Sequence, residues 1–186
     1  MKLSATDFVQ MKGSRPITML TAYTCPVARE LEAAGIPIIL VGDTVGMVEM
    51  GFDSTRQVTV EHMVYHIGAV RRGAPNTHII GDLPYESDKT PELALANARR
   101  LLVAGADSIK LEGPKTDIIS YLVAEGIAVV GHTGLLPQTA SSFAKVGRNA
   151  EEALRIQKEA VAIQQAGAFM LVIEHVPHDL ANSITQ

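Results

Sequence analysis

Five times along this chain a helix-like segment runs through a glycine into a short apolar stretch that closes on a charged or ionisable residue, and that recurrence limits the folds open to it. The stretches are 35–43, passing through Ile38, Ile39, Leu40 and Val41 to Asp43; 73–82, through Ile79 and Ile80 to Asp82; 105–112, to Glu112; 126–132, through Val129 and Val130 to His132; and 167–174, through Leu171, Val172 and Ile173 to Glu174. An earlier apolar run at 17–21 supplies a first strand. Gly35, Gly73, Gly105, Gly126 and Gly167 suit the left-handed position that ends a helix, and each apolar run reads as a strand buried on both faces. Residues 26–34, 60–71, 91–104 and 150–166 carry helical spacing, with Thr59, Thr90 and Asn149 placed as N-caps. Arg71 and Arg72, just before Gly73, read as positive charge at a helix C-terminus rather than as a phosphate site.

Alternating helices and buried strands imply a parallel sheet, either closed as a (βα)8 TIM-type barrel or open and doubly wound. No strand is followed by the G-x-G-x-x-G turn of a dinucleotide-binding sheet. Polar residues close nearly every strand instead of gathering at one switch point, which favours the barrel. Six strands are counted in 186 residues, followed by a helix-like segment at 178–185, whereas a complete barrel takes about 250 residues. The expectation is a single barrel domain over 1–186 that lacks the last two βα units, as a fragment, a truncated gene product or an incompletely represented protein.

Composition narrows the partners. With 47% apolar residues, 4% aromatics and no Trp, the core must be built from Ala, Ile, Leu, Val and Met, which suits helices packed on a sheet. A net charge of −4, from 20 acidic and 16 basic residues without a polybasic run, argues against nucleic acid. Cys25, the sole cysteine, has no partner for an intramolecular disulfide, and no Cys/His spacing suits zinc, in keeping with a reducing compartment. No apolar run approaches the ~20 residues of a membrane helix, and residues 1–10 lack a signal-peptide core. A soluble, cytoplasmic protein is expected, without nucleic-acid or membrane partners.

Chemistry is carried at the strand ends. Asp43 lies in Val41-Gly42-Asp43-Thr44-Val45-Gly46, where glycines leave the backbone room to turn; Asp82 lies in Ile80-Gly81-Asp82-Leu83-Pro84; and Glu112 follows Lys110 and Leu111. Any one of these acids alone reads as a solvated loop residue. Three at matched strand ends repel one another, and a hard cation such as Mg²⁺ is the economical relief. Lys110 and Glu112 share a face at strand spacing while Leu111 points to the helices. Glu174, at the end of the sixth strand, is the candidate base; burial and carboxylates would raise its pKa, whereas a metal and Lys110 would lower it. His132 is placed to bind substrate, orient a loop or support structure. Tyr23 and Thr44 bring hydroxyls to strand ends, while His175 and His178 read as supporting or surface groups and Cys25 as packing.

Taken together, Thr21-Ala22-Tyr23, Val41-Gly42-Asp43-Thr44-Val45-Gly46-Met47, Asp53-Ser54-Thr55, Gly81-Asp82-Leu83-Pro84, Lys110-Leu111-Glu112-Gly113, Gly131-His132-Thr133-Gly134-Leu135, Pro137-Gln138 and Glu174-His175-Val176-Pro177 closely resemble the ketopantoate hydroxymethyltransferase family across the chain. The resemblance implies a (βα)8 barrel assembled as a homo-oligomer, a decamer of two pentameric rings. The implied reaction moves a hydroxymethyl group from methylenetetrahydrofolate to 3-methyl-2-oxobutanoate, giving 2-dehydropantoate. It implies Asp43, Asp82 and Glu112 as Mg²⁺ ligands; Asp43, Thr44, Asp82 and Lys110 as keto-acid contacts; and Glu174 as proton acceptor. Thr44 stands where the family commonly has serine, and residues 141–148 form a shorter loop than the family's glycine-rich one. Two other readings share the residues: a lyase like isocitrate lyase or phosphoenolpyruvate mutase acting on a metal-bound keto acid, and an inactive truncated subunit.

Overall fold

A computed structural model describes residues 2–186. Its six strands form one parallel sheet in chain order: β1 (Met19–Thr21), β2 (Ile38–Val41), β3 (His78–Asp82), β4 (Ser108–Lys110), β5 (Val129–Gly134) and β6 (Met170–Glu174). Helix α1 (Ala5–Gln10) precedes the sheet; α2 (Cys25–Ala33), the single turn α3 (Val45–Val48) with α4 (Val60–Gly73), α5 (Pro91–Ala104), α6 (Thr116–Ala124) and α7 (Ala150–Gln165) fill the crossovers; and α8 (His178–Thr185) follows β6. Parallel neighbours require such crossovers, and strands clothed by helices become apolar on both faces. The sheet curls into a half-barrel whose free edges, among the described residues, are β1 and β6.

The two faces of the sheet make two cores. Ile39, Val41, Ile79, Ile109 and Val129 point outward and pack against Met63 and Ile67 of α4, Leu101 of α5, Ile119 of α6 and Ile163 of α7. The alternate positions, Ile38, Ile80 and Val130, point into the curl with Met19, Leu40, Met170 and Val172. Phe8 of α1 joins this inner group, so the short helix plugs the end of the curl where the strands begin. Beneath it the His78 ring lies 5.1 Å from Phe8, edge-on, with Nδ1 3.0 Å from the Leu3 carbonyl oxygen and Nε2 2.9 Å from Ser108 Oγ. Burial holds this imidazole below its usual pKa, as a neutral, hydrogen-bonded ring in an apolar floor.

Local signals explain most of the boundaries. Thr59, Thr90 and Asn149 cap α4, α5 and α7 by accepting hydrogen bonds from the backbone of His62, Leu93 and Glu152. Gly35, Gly105, Gly126 and Gly167 have the expected positive φ. Gly73 does not: it ends α4 in a helical conformation, and glycine is required there because a Cβ would stand 2.2 Å from the Cys25 carbonyl oxygen. Arg71 also does more than offset a helix dipole. Its Nε donates to the Gly105 carbonyl (2.9 Å), its Nη1 to the carbonyls of Ala74 (2.9 Å), Pro75 (3.1 Å) and Thr77 (3.0 Å), and its Nη2 pairs with Asp107. One guanidinium thus fixes the turns that lead into β3 and β4.

Candidate active site

The inner positions of the strands turn from apolar to ionisable at their carboxyl ends. Ile80 is followed on the same face by Asp82, Ser108 by Lys110, Val130 by His132, and Val172 by Glu174; the pairing register sets Asp82 beside Lys110 and Gly134 beside Glu174. Asp43, one residue further from β2 than Gly42, turns into the same space. Asp43, Asp82, Lys110 and Glu112 are each 5% exposed or less. Leu111 packs among the helices, as a period of two requires, although Glu112 lies beyond the last residue of β4.

The groups are wired together. Lys110 Nζ donates to both oxygens of Asp82 at 2.8 Å, and Asp82 Oδ2 also accepts from the Asp43 backbone N–H at 3.2 Å. Gln138, in the turn after β5, is the connector that sequence reasoning did not single out. Its side-chain amide donates to Asp43 Oδ2 (2.8 Å) and the Leu83 carbonyl (3.0 Å), its backbone N–H donates to Glu112 Oε1 (2.9 Å), and its carbonyl accepts from Arg56 Nε (2.6 Å). The one available signal was Pro137-Gln138 among the family segments.

His132 lies between two acids, with Nδ1 3.7 Å from Glu112 Oε2 and Nε2 3.2 Å from Glu174 Oε2. Neither ring nitrogen has the alignment of a hydrogen bond, so a fully buried imidazole is left polar and uncommitted. Glu174 is the open end of the row, its side chain 39% exposed. Gly134 makes room for it: its φ is +93° and a Cβ there would stand 2.3 Å from the Glu174 carbonyl oxygen, while the next N–H, of Leu135, donates to that oxygen at 2.8 Å.

Tyr23 is buried at the rim beside Thr44, which is exposed at the head of α3; burial pushes the phenol pKa up, with the neighbouring Thr44 and Thr21 side chains opposing the rise. His175 adopts φ +51° and its carbonyl accepts from the Val146 N–H, whereas His178 is an exposed group at the head of α8. Cys25 is half-buried at the start of α2.

The electrostatics are those of a site with too much buried negative charge. Burial, then the charge of Asp82, pushes Asp43 up to about 7, and burial raises Glu112 to about 8 despite Lys110. Burial works to lower the Lys110 pKa, but the carboxylates of Asp82 and Asp43 outweigh it and hold the ammonium above its usual range. Three hard oxygen donors crowded at one mouth fit a hard divalent cation in charge and chemistry. Their present geometry is different from a finished cage: among the described residues no three His, Cys, Asp or Glu side chains surround one point closely enough to hold a metal ion. The reason is visible in the hydrogen bonds, since Lys110 takes both oxygens of Asp82 and Gln138 takes one oxygen each from Asp43 and Glu112.

Residues 2–186 match the family described as ketopantoate hydroxymethyltransferase. The chain is 48% identical, over 192 positions, to a 3-methyl-2-oxobutanoate hydroxymethyltransferase of Thermus thermophilus, with all of this chain and 73% of that protein covered. The enzyme of the same name from Pyrobaculum calidifontis is 41% identical over 191 positions, covering all of this chain and 72% of its own length. Among solved structures, a 2,3-dimethylmalate lyase of the PEP mutase/isocitrate lyase superfamily superposes with a TM-score of 0.67 at 17% identity, covering 98% of this chain and 65% of the lyase. A phosphonopyruvate hydrolase superposes with a TM-score of 0.73 at 15% identity, covering 97% of this chain and 66% of that one. At such identities the likeness speaks of the fold alone.

Proposed function

The chain belongs to the ketopantoate hydroxymethyltransferase family, and from that premise we propose that its strand-end acids bind and enolise 3-methyl-2-oxobutanoate for hydroxymethyl transfer from methylenetetrahydrofolate. The observation that carries the reading is the buried row in which Lys110, Asp82, Asp43 and Glu112 interlock through Gln138, with the part-exposed Glu174 at its end.

Asp43, Asp82 and Glu112 would hold a divalent cation such as Mg²⁺, which supplies positive charge next to the keto acid's oxygens and so stabilises enolisation. Lys110 adds a fixed ammonium in a water-poor site, where a charge facing the developing enolate oxygen is worth far more than in bulk water. Asp43, Thr44, Asp82 and Lys110 line the acceptor side and orient the acid. Glu174 takes the C3 proton and the enolate carbon forms a bond to the donor's methylene carbon; both folate nitrogen–carbon bonds break, a water molecule supplies the hydroxyl oxygen, and the two nitrogens take up one proton from that water and one equivalent to the proton lost from C3. The enclosed His132, beside Glu174, restrains where that carboxylate can point.

Glu174→Gln tests the assignment. It should lower C3 hydrogen–deuterium exchange of the keto acid by about 10²–10⁴-fold while leaving divalent-ion binding intact, read by NMR and calorimetry. Exchange at the original rate would remove Glu174 from the role. The lyase reading shares the fold, and a product that forms only when methylenetetrahydrofolate is present separates the two.

A further inference from the structure

Gln138 is a neutral residue, 3% exposed, that is pinned from several sides at once. Its side-chain amide commits its hydrogens to Asp43 Oδ2 and the Leu83 carbonyl, its backbone N–H is held by Glu112 Oε1, and its carbonyl is held by Arg56 Nε at 2.6 Å. The Leu83 carbonyl can only accept, which fixes the amide with its nitrogen on that side. These bonds leave Gln138 little torsional freedom, and they take only one oxygen from each acid.

Arg56 is the one partner that belongs neither to the acids nor to a strand end. It lies on a single 3-10 turn (Thr55–Gln57) that Ser54 caps by accepting from the Arg56 N–H at 3.2 Å, and that Thr55, 1% exposed, anchors in the interior. The guanidinium carbon stands 5.3 Å from the Tyr85 ring centroid, so the head of the side chain is held over the segment after β3 while Nε reaches the turn after β5. That turn closes through the N–H groups of Thr139 and Ala140, which both donate to the Leu136 carbonyl, at 3.0 and 2.8 Å. Closure of the turn therefore leaves the Gln138 N–H and carbonyl to be aimed from outside it, and the bond from a charged donor is the strong one.

We propose that Arg56 is a positioning residue of the cation site: by holding the Gln138 carbonyl it aims that residue's N–H and side-chain amide, and through them it orients Asp43 and Glu112 as a pair toward one divalent ion. The proposal rests on the metal-assisted reading above. Aiming and charge have opposite signs here. A guanidinium near a cation site opposes cation binding by repulsion, so its removal strengthens binding if charge is all that matters. Removal weakens binding if Arg56 acts by orienting the acids.

Arg56→Met keeps the stem and removes both charge and donor, whereas Gln138→Met keeps the backbone groups and removes the amide. Titration calorimetry with Mg²⁺ should show Kd raised about 10–100-fold by Arg56→Met, with the Mg²⁺ concentration for half-maximal C3 exchange moving in parallel and the melting temperature of the metal-free protein little changed. In a Gln138→Met background the same substitution should raise Kd by a smaller factor, since one of the two groups that Arg56 aims is gone. Arg56→Lys keeps the charge without a donor at the Nε position, and it should weaken binding as well. A Kd left unchanged or lowered by Arg56→Met, or a loss of the same size in both backgrounds, overturns the proposal. Absence of Mg²⁺ binding to the unaltered protein overturns the metal-assisted reading and the proposal with it, whereas normal binding with an unmoved Kd in the variants overturns the proposal alone.

Discussion

At the scale of single residues, the raised carboxyls make a prediction with a definite sign. Asp43 titrates at about 7 and Glu112 at about 8, both above the unfolded carboxylate range. Between roughly pH 4 and those values the folded chain keeps protons that the unfolded chain has released, so stability falls as pH rises, by ~1.4 kcal/mol for each pKa unit fully expressed. In a chelator the melting temperature should drop between pH 5.5 and 8, and millimolar Mg²⁺ should restore it more at pH 8 than at 5.5. A melting temperature indifferent to pH and Mg²⁺ would mean that the acids are already compensated. Lys110→Met should cost the metal-free protein about 3–5 kcal/mol in chemical denaturation, because it strands Asp82 as a buried, unpaired charge. These groups were legible in the sequence because each closes an apolar strand with a charge, and a charge at such a place needs a counter-charge. Gln138 was not legible: an amide carries no such demand, and its partner Asp43 is 95 residues away.

Elements were legible wherever punctuation was local. The caps at Thr59, Thr90 and Asn149 and the glycines after α2, α5, α6 and α7 marked the helix ends. Helix α6 carried a weaker signal, because it opens without a side-chain cap and its Ile118-Ile119 pair is as much at home in a strand. The single turn α3 and the six-residue α1 fell below the length at which periodicity speaks, though Ser4 and Asp7 form a capping box that marks α1. Arg71 was read for its charge, yet what fixes the turns is the fork of its guanidinium. Arg71→Lys keeps the charge and loses the fork, so it should destabilise the fold by about 1–3 kcal/mol in urea. A loss equal to that of Arg71→Ala would confirm that the fork is what matters, and no loss would refute it. Gly134→Ala demands a positive φ of an L-residue and drives a methyl into β6, and it should lower both stability and C3 exchange.

Over the whole molecule, alternation of apolar runs and helices foretold the parallel sheet, and its curl follows from strand ends that all face one space. Which residues would meet inside that space depends on the stagger between strands, which no single stretch encodes. The sheet's cohesion is uneven. Strand β5 is fully buried between two neighbours, whereas β6 is half-buried throughout and β1 leaves Leu20 44% exposed. Amide hydrogen exchange in this 186-residue chain should therefore be slowest in the fully buried β3, β4 and β5 and faster in the part-exposed β1 and β6; uniform protection would contradict that difference in burial. Glu174 is carried by one of those boundary strands, while Asp82 and Lys110 hang from the sheet's middle. Under the proposed function, the groups that would grip an acid are the mutually paired, buried Asp82 and Lys110, and the one that would reach its carbon is the part-exposed Glu174.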